Sequence, residues 1–139
     1  MNTKISIIVP IYNEIKIIEK FLNKLILSFQ NLEVKYILID DGSDDGSQQW
    51  LKENTPQLFK DKYYELLLLE NNKGKGYAVR KGIEKIEGKY TIFIDSDLEY
   101  DPKDALELFN IAKENESLKA LFGSRYVGGK LQLRRHFLN

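Results

Sequence analysis

Apolar residues recur along this chain in two alternating rhythms, short β-branched runs and longer stretches with helical spacing. Ile5-Ser6-Ile7-Ile8-Val9, closed by Pro10, reads as a first strand. Ile18, Phe21, Leu22, Leu25, Ile26 and Phe29 then mark one face of an amphipathic helix. Tyr36-Ile37-Leu38-Ile39 predicts a second, buried strand, and the polar run 43–47 offers several N-caps for a short helix carrying Trp50 and Leu51. Residues 64–69 predict a third strand. After the loop 70–76, helical spacing returns at Val79, Gly82, Ile83 and Ile86, with Gly88 placed as that helix's C-terminal cap. Residues 90–95 predict a fourth strand, buried by its run of apolar and β-branched residues. Asp101-Pro102 is a helix start, with Ala105, Leu108, Phe109 and Ala112 as the inner face, and residues 118–122 predict a fifth strand.

Strand and helix alternate throughout, the pattern of an α/β fold whose parallel sheet is covered by helices on both faces. A chain of 139 residues suffices for one domain with a core. Lys+Arg and Asp+Glu balance at 21 each, so net charge gives no support to a nucleic-acid partner. The absence of cysteine excludes a disulfide framework, a thiolate metal site and a Cys nucleophile, and His136 alone cannot build a His-based metal site. No apolar run approaches the roughly 20 residues that cross a bilayer. Residues 1–9 lack the apolar length of a signal peptide. The expected location is therefore cytoplasmic, at most peripheral to a membrane. No internal repeat or low-complexity tract stands out.

The candidate chemistry gathers where strands end. Tyr12, Glu14, Asp41, Asp95 and Asp97 all follow the carboxyl ends of predicted strands, the edge where an open α/β sheet binds ligands. Asp95-Ser96-Asp97 brings two hard oxygen donors to such an end, suited to Mg²⁺ or Mn²⁺ carrying a phosphate-bearing substrate. Asp and Ser also favour plain turns. Pro10-Ile11-Tyr12-Asn13-Glu14 has two readings. Asn13 caps the following helix with Glu14 at its positive end, or the turn holds a nucleobase against Tyr12. Asp40-Asp41-Gly42-Ser43 is an Asx turn before a helix, or it presents an acceptor to a ring N–H or a ribose hydroxyl. Gly74-Lys75-Gly76 matches neither the Walker nor the dinucleotide pattern. Its glycines are a flexible connection or allow close backbone approach to a ligand, with Lys75 and Arg80 as nearby cations.

Taken in order, these motifs resemble the family 2 glycosyltransferases of GT-A fold. The matching pieces are Val9 to Glu14, Asp40 to Ser43, Asn72 to Gly76 with Ala78 to Gly82, Asp95 to Asp97, and Gly123-Ser124-Arg125-Tyr126. The glycine-lysine segment and the Asp-Leu-Glu-Tyr-Asp-Pro run are most similar to the dolichyl- or polyprenyl-phosphate glucosyl- and mannosyltransferases. The resemblance implies a Rossmann-like, mostly parallel sheet. Pro10, Tyr12, Glu14 and Asp41 would hold the base and ribose of a UDP- or GDP-sugar. Asp95-Ser96-Asp97 would be the DxD element, with Asp97 the direct metal ligand and Asp95 nearer the ribose or metal-bound water. Metal-assisted, inverting transfer to a polyprenyl phosphate at the membrane surface follows from the same resemblance, as does a place in cell-envelope glycan synthesis. Lys75 is a substrate-side cation, and Arg125, Arg134 and Arg135 match residues that hold the lipid phosphate, although Arg134 and Arg135 also read as a basic tail. The family's usual general base has no counterpart, since Glu99 and Asp101 read as a surface acid and an N-cap. Residues 1–139 are thus expected to be the nucleotide-sugar-binding part of a GT-A domain, interrupted at about 125–139. The alternative is a nucleotide-sugar-binding module without activity. Oligomeric state has no signature in the sequence.

Overall fold

The computed structural model describes residues 4–121 and 123. Its elements alternate as expected: β1 (Ile5–Ile11), α1 (Ile18–Ser28), β2 (Val34–Asp40), α2 (Ser47–Leu58), β3 (Tyr63–Leu68), α3 (Lys75–Ile83), β4 (Tyr90–Phe93) and α4 (Pro102–Glu114). The strands form one sheet in the order β3-β2-β1-β4, with every pairing parallel.

The two-residue period of each strand divides the core into two layers. Ile5, Ile7, Val9 and Ile11 of β1, with Val34, Tyr36 and Leu38 of β2, face Phe21, Leu22 and Leu25 of α1, Leu51 of α2 and Phe109 of α4. Ile8, Ile37 and Ile39 point the other way, onto Ala78 of α3. The register Ile7↔Tyr36, Ile8↔Ile37 and Val9↔Leu38 keeps each set on its own face, and a one-residue slip would exchange them. Full burial of each such side chain contributes roughly 1.5–3 kcal/mol. Helix α3 lies close against the sheet because Gly82 has no side chain: a Cβ there would stand 2.8 Å from Ile8 Cγ2 and 2.9 Å from Ile39 Cδ1.

Several local expectations are corrected. Asn13 does not cap α1; its φ is +53°, and the N-cap position falls to Ile17, which makes no side-chain cap bond. The serines of 43–47 do not cap α2 either, since Gly46 holds the N-cap position in a left-handed conformation. Gly88 is not the cap of α3, whose C-cap is Glu84. Gly88 instead passes so near Lys4 that a Cβ would lie 2.3 Å from its carbonyl oxygen, a position only glycine fills at φ +91°. The strand expected over 90–95 pairs over Tyr90–Phe93 and is only partly buried, with Phe93 exposed. It occupies the edge of the described sheet, and β1 covers one side only. Residues 118–121 form no strand; the remaining residue of that expected strand lies outside the described residues.

At the amino edge of the sheet, charge fastens β4 to its neighbours. Lys35, nearly buried, bridges Glu65 at 2.7 Å and Glu87 at 2.8 Å. Burial alone would push Lys35 down, but the hydrogen bonds to Glu65 and Glu87 outweigh it and raise its pKa. Glu87 also receives Lys4 at 2.6 Å and the Tyr63 hydroxyl at 2.8 Å. Hydrogen bonds from Lys35, Lys4 and Tyr63 hold its carboxyl down at about 2.

Candidate nucleotide site

Chain order and sheet order together place the site. From β1 the chain builds outward through β2 to β3, then crosses back to lay β4 on the other side of β1. Helices α1 and α3 therefore leave opposite faces, and a crevice opens beyond the carboxyl ends of β1 and β4. Pro10, Tyr12 and Glu14 reach it from β1, and Asp95, Ser96 and Asp97 from β4.

The two motifs are tied directly. The Ser96 hydroxyl donates to the Pro10 carbonyl at 3.1 Å, and Ser96 itself is buried. Asp95 and Asp97 therefore flank a residue fixed to the first turn. Asp97 accepts the Glu99 amide at 3.0 Å, and Asp95 is ion-paired with Lys75, the first residue of α3. Tyr12 presents a ring that is 46% exposed. Burial first, then the charges of Asp97 and Asp45, push Glu14 above the ordinary carboxylate value. Glu14 and Asp97, 83 positions apart, thus feel each other across the crevice. Two non-glycine residues with positive φ, Asn13 at +53° and Leu98 at +61°, border this place. Such backbone is uncommon outside glycine and concentrates where a site fixes its geometry.

Asp41 lies deeper. Only 2% exposed, it accepts from Asn72 Nδ2 at 3.1 Å and from the amides of Lys73 and Gly74, each at 2.9 Å. Its carboxylate therefore sets the glycine-lysine loop at the head of α3. Asp40 accepts from the Ser43 amide at 2.9 Å and from Gln48 Nε2 at 2.8 Å through one oxygen, while Oδ2 is buried without a partner among the described residues.

A second clamp was not anticipated from the sequence. Asn13 donates through its amide to Ser43 Oγ and exchanges side-chain bonds with Asp44, the Glu14 amide donates to Ser47 Oγ at 2.9 Å, and the Ile15 amide donates to Asp45 Oδ2 at 3.1 Å. Burial pushes Asp45 up, but the Ser47 hydroxyl and amide and the Ile15 amide hold it below its usual value. The signal lies in the sequence: Asp-Asp-Gly-Ser occurs twice in succession, at 40–43 and 44–47, contrary to the expectation of no repeat. Asp41 of the first copy grips the 72–74 loop, while Ser43 of the first and Asp44, Asp45 and Ser47 of the second grip the turn 13–15. The β2–α2 connection thereby joins both neighbours of the crevice.

Asp95 and Asp97 supply hard oxygen donors of the kind that divalent ions take. Among the described residues no group of three or more His, Cys, Asp or Glu is arranged as a metal cage. Mg²⁺, however, is characteristically held by one or two carboxylates with substrate phosphates completing the shell. Asp95 already attracts a cation, and Asp97 adds charge beside a partly buried Glu14. Arg125, Arg134 and Arg135 lie outside the described residues. Among the described residues no helix is long and apolar enough to cross a membrane.

A parallel sheet with this switch-point edge defines the chain as an open α/β domain whose ligand edge lies at the carboxyl ends of β1 and β4. The glycosyl transferase family 2 model matches residues 6–138, and the chain belongs to that family. It is similar, at 33% identity over 113 residues, to an undecaprenyl-phosphate 4-deoxy-4-formamido-L-arabinose transferase of Proteus mirabilis, covering 80% of this chain and 34% of that protein. A protein of the same name from Yersinia pestis is 31% identical over 115 residues, with the same coverage. The chain spans about a third of the length of these curated relatives. In fold it resembles the mannosyltransferase PcManGT of Pyrobaculum calidifontis, solved with GDP-Man and Mn²⁺ (TM-score 0.66, 22% identity, 76% of this chain and 31% of that one). It also resembles S. aureus TarS 1–349, solved with UDP (TM-score 0.64, 27% identity, 81% and 33%).

Proposed function

We propose that this edge binds a UDP- or GDP-sugar and serves metal-assisted, inverting transfer of the sugar to a polyprenyl phosphate. The observation that carries the reading is the Ser96–Pro10 bond, which holds the acidic pair against the turn bearing Tyr12 and Glu14. The names of the undecaprenyl-phosphate transferases support the acceptor class, and the GDP-Man, Mn²⁺ and UDP of the structural neighbours support the donor and the ion.

In this reading Tyr12 offers its exposed face to the base, while Pro10 and Glu14 border base and ribose. Asp41 acts through the loop it positions, and Lys75 faces the diphosphate. Asp97 and Asp95 would hold Mg²⁺ or Mn²⁺, which when bound supplies Lewis-acid stabilisation of the charge growing on the departing nucleoside diphosphate. An acceptor phosphate oxygen is already ionised near neutral pH and needs no general base. That oxygen forms a bond to the anomeric carbon as the bond to the diphosphate oxygen breaks, and direct displacement inverts the centre. Arg125 and Arg135 are assigned to the lipid phosphate.

Thermal shift with UDP, GDP and their sugars, with and without Mn²⁺, tests the donor, because a ligand of the native form raises the melting temperature. Asp97→Ala should weaken the Mn²⁺-dependent shift; equal shifts in both proteins would remove Asp97 from the site. A single-turnover assay with a polyprenyl phosphate tests transfer, and binding without transfer would favour a nucleotide-sugar-binding module.

A further inference from the structure

Lys75 stands at an unusual junction. It is the first residue of α3, its side chain is 63% exposed, and it is ion-paired with Asp95, whose side chain is 23% exposed. The residue before it, Gly74, is anchored through its amide to Asp41 at 2.9 Å. Beyond that anchor the surroundings are open, since a Cβ at Gly74 or at Gly76 would meet nothing within 4 Å. The lysine, itself largely exposed, therefore extends to Asp95 from a fixed point. Its ammonium occupies one carboxylate of the pair assigned to the divalent ion. A monovalent cation on a four-carbon stem is readily exchanged for a denser charge, because an exposed pair of this kind is weak.

We propose that Lys75 is a positioning residue that stands in for the divalent ion on Asp95, and that it transfers to the diphosphate when ion and nucleotide bind together. The inference rests on the nucleotide and metal assignment made above and deepens it. In the free protein the ammonium pairs with Asp95, while the Ser96–Pro10 bond keeps the acidic pair beside the β1 turn. Arrival of the ion displaces the ammonium, which then finds the negative charge that the nucleotide brings to the same edge. Metal and nucleoside diphosphate are thereby coupled: the lysine opposes the ion alone and assists the ion–diphosphate pair.

The coupling has a signature that a merely structural lysine lacks, since one substitution moves two affinities in opposite directions. In the full chain, Lys75→Met should tighten Mn²⁺ binding without nucleotide by about two- to fivefold, the range set by an exposed ion pair. The free-ion Mn²⁺ resonance in electron paramagnetic titration reads this directly. The same variant should weaken UDP or GDP binding at saturating Mn²⁺, read by calorimetry, and Lys75→Arg should restore both toward the wild type. Unchanged or weaker Mn²⁺ affinity in Lys75→Met, or unchanged nucleotide affinity, would overturn the proposal while leaving the site assignment standing. A wild-type chain that binds neither Mn²⁺ nor either nucleotide would overturn the site assignment, and this inference with it.

Discussion

The carboxylate of Asp41 receives the amide of Gly74 at 2.9 Å, so the end of β2 determines where α3 begins and from which point Lys75 projects. The same carboxylate receives Lys73 N and Asn72 Nδ2. Asp41→Asn keeps the shape but replaces one accepting oxygen with a donor facing other donors. Hydrogen bonds to charged groups are worth about 1.5–3 kcal/mol each, and a loss of stability in that range is expected in urea unfolding. Nucleotide affinity should fall with it as the loop loosens.

Ser96→Ala removes the hydroxyl that ties the acidic pair to the carbonyl of Pro10 in the first turn. The expected cost is about 0.5–1.5 kcal/mol. Weaker Mn²⁺-dependent nucleotide binding should accompany it in calorimetry, because Asp95 and Asp97 lose their shared anchor.

Two glycines near the loop should respond with opposite signs. Gly42 has φ +68°, and a Cβ there would lie 2.3 Å from Asn71 C and 2.4 Å from Asn72 N. Gly42→Ala is expected to destabilise by roughly 1–3 kcal/mol from backbone strain alone, with displacement of the 71–74 loop. Gly76 lies inside α3 with open space around it. Gly76→Ala should stabilise by about 0.4–1 kcal/mol by restricting the unfolded chain. Thermal unfolding of the two variants checks both.

Glu14 is raised by burial and by the charges of Asp97 and Asp45. A carboxyl raised on folding detracts from stability as pH climbs from its unfolded value through its folded one. Asp97→Asn removes one of those charges and should bring the Glu14 titration, followed by carbon-detected NMR, down toward its ordinary value. An unmoved Glu14 would place the two acids too far apart to share a site.

Glu87 titrates in the other sense. Its folded value near 2 lies below the ordinary 4.5, so its contribution is present above pH 4.5 and is lost as pH falls toward 2. Glu87→Gln should flatten the stability profile across that window while leaving nucleotide binding intact, since Glu87 lies at the opposite edge of the sheet. Circular dichroism of urea unfolding at successive pH values measures it.

Much of this molecule was legible in one dimension. The β-branched runs around Ile7 and Leu38, the apolar stripe from Ile18 to Phe29 and the Asp101-Pro102 start all became the expected elements, because period and cap chemistry are local properties. The acids after β1, β2 and β4 were legible as strand-end residues for the same reason. What the chain order left open was pairing. Only the sheet order β3-β2-β1-β4 puts Ser96 on Pro10, leaves β4 at the edge of the described sheet and brings Glu14 within reach of Asp97. Asn13 and Gly88 left the helix ends that local rules offered them because partners distant in sequence, Asp44 and Lys4, required their backbones elsewhere. Local composition set which segments formed and which ends carried charge. The parallel crossovers, which no local signal encodes, decided which of those charges meet.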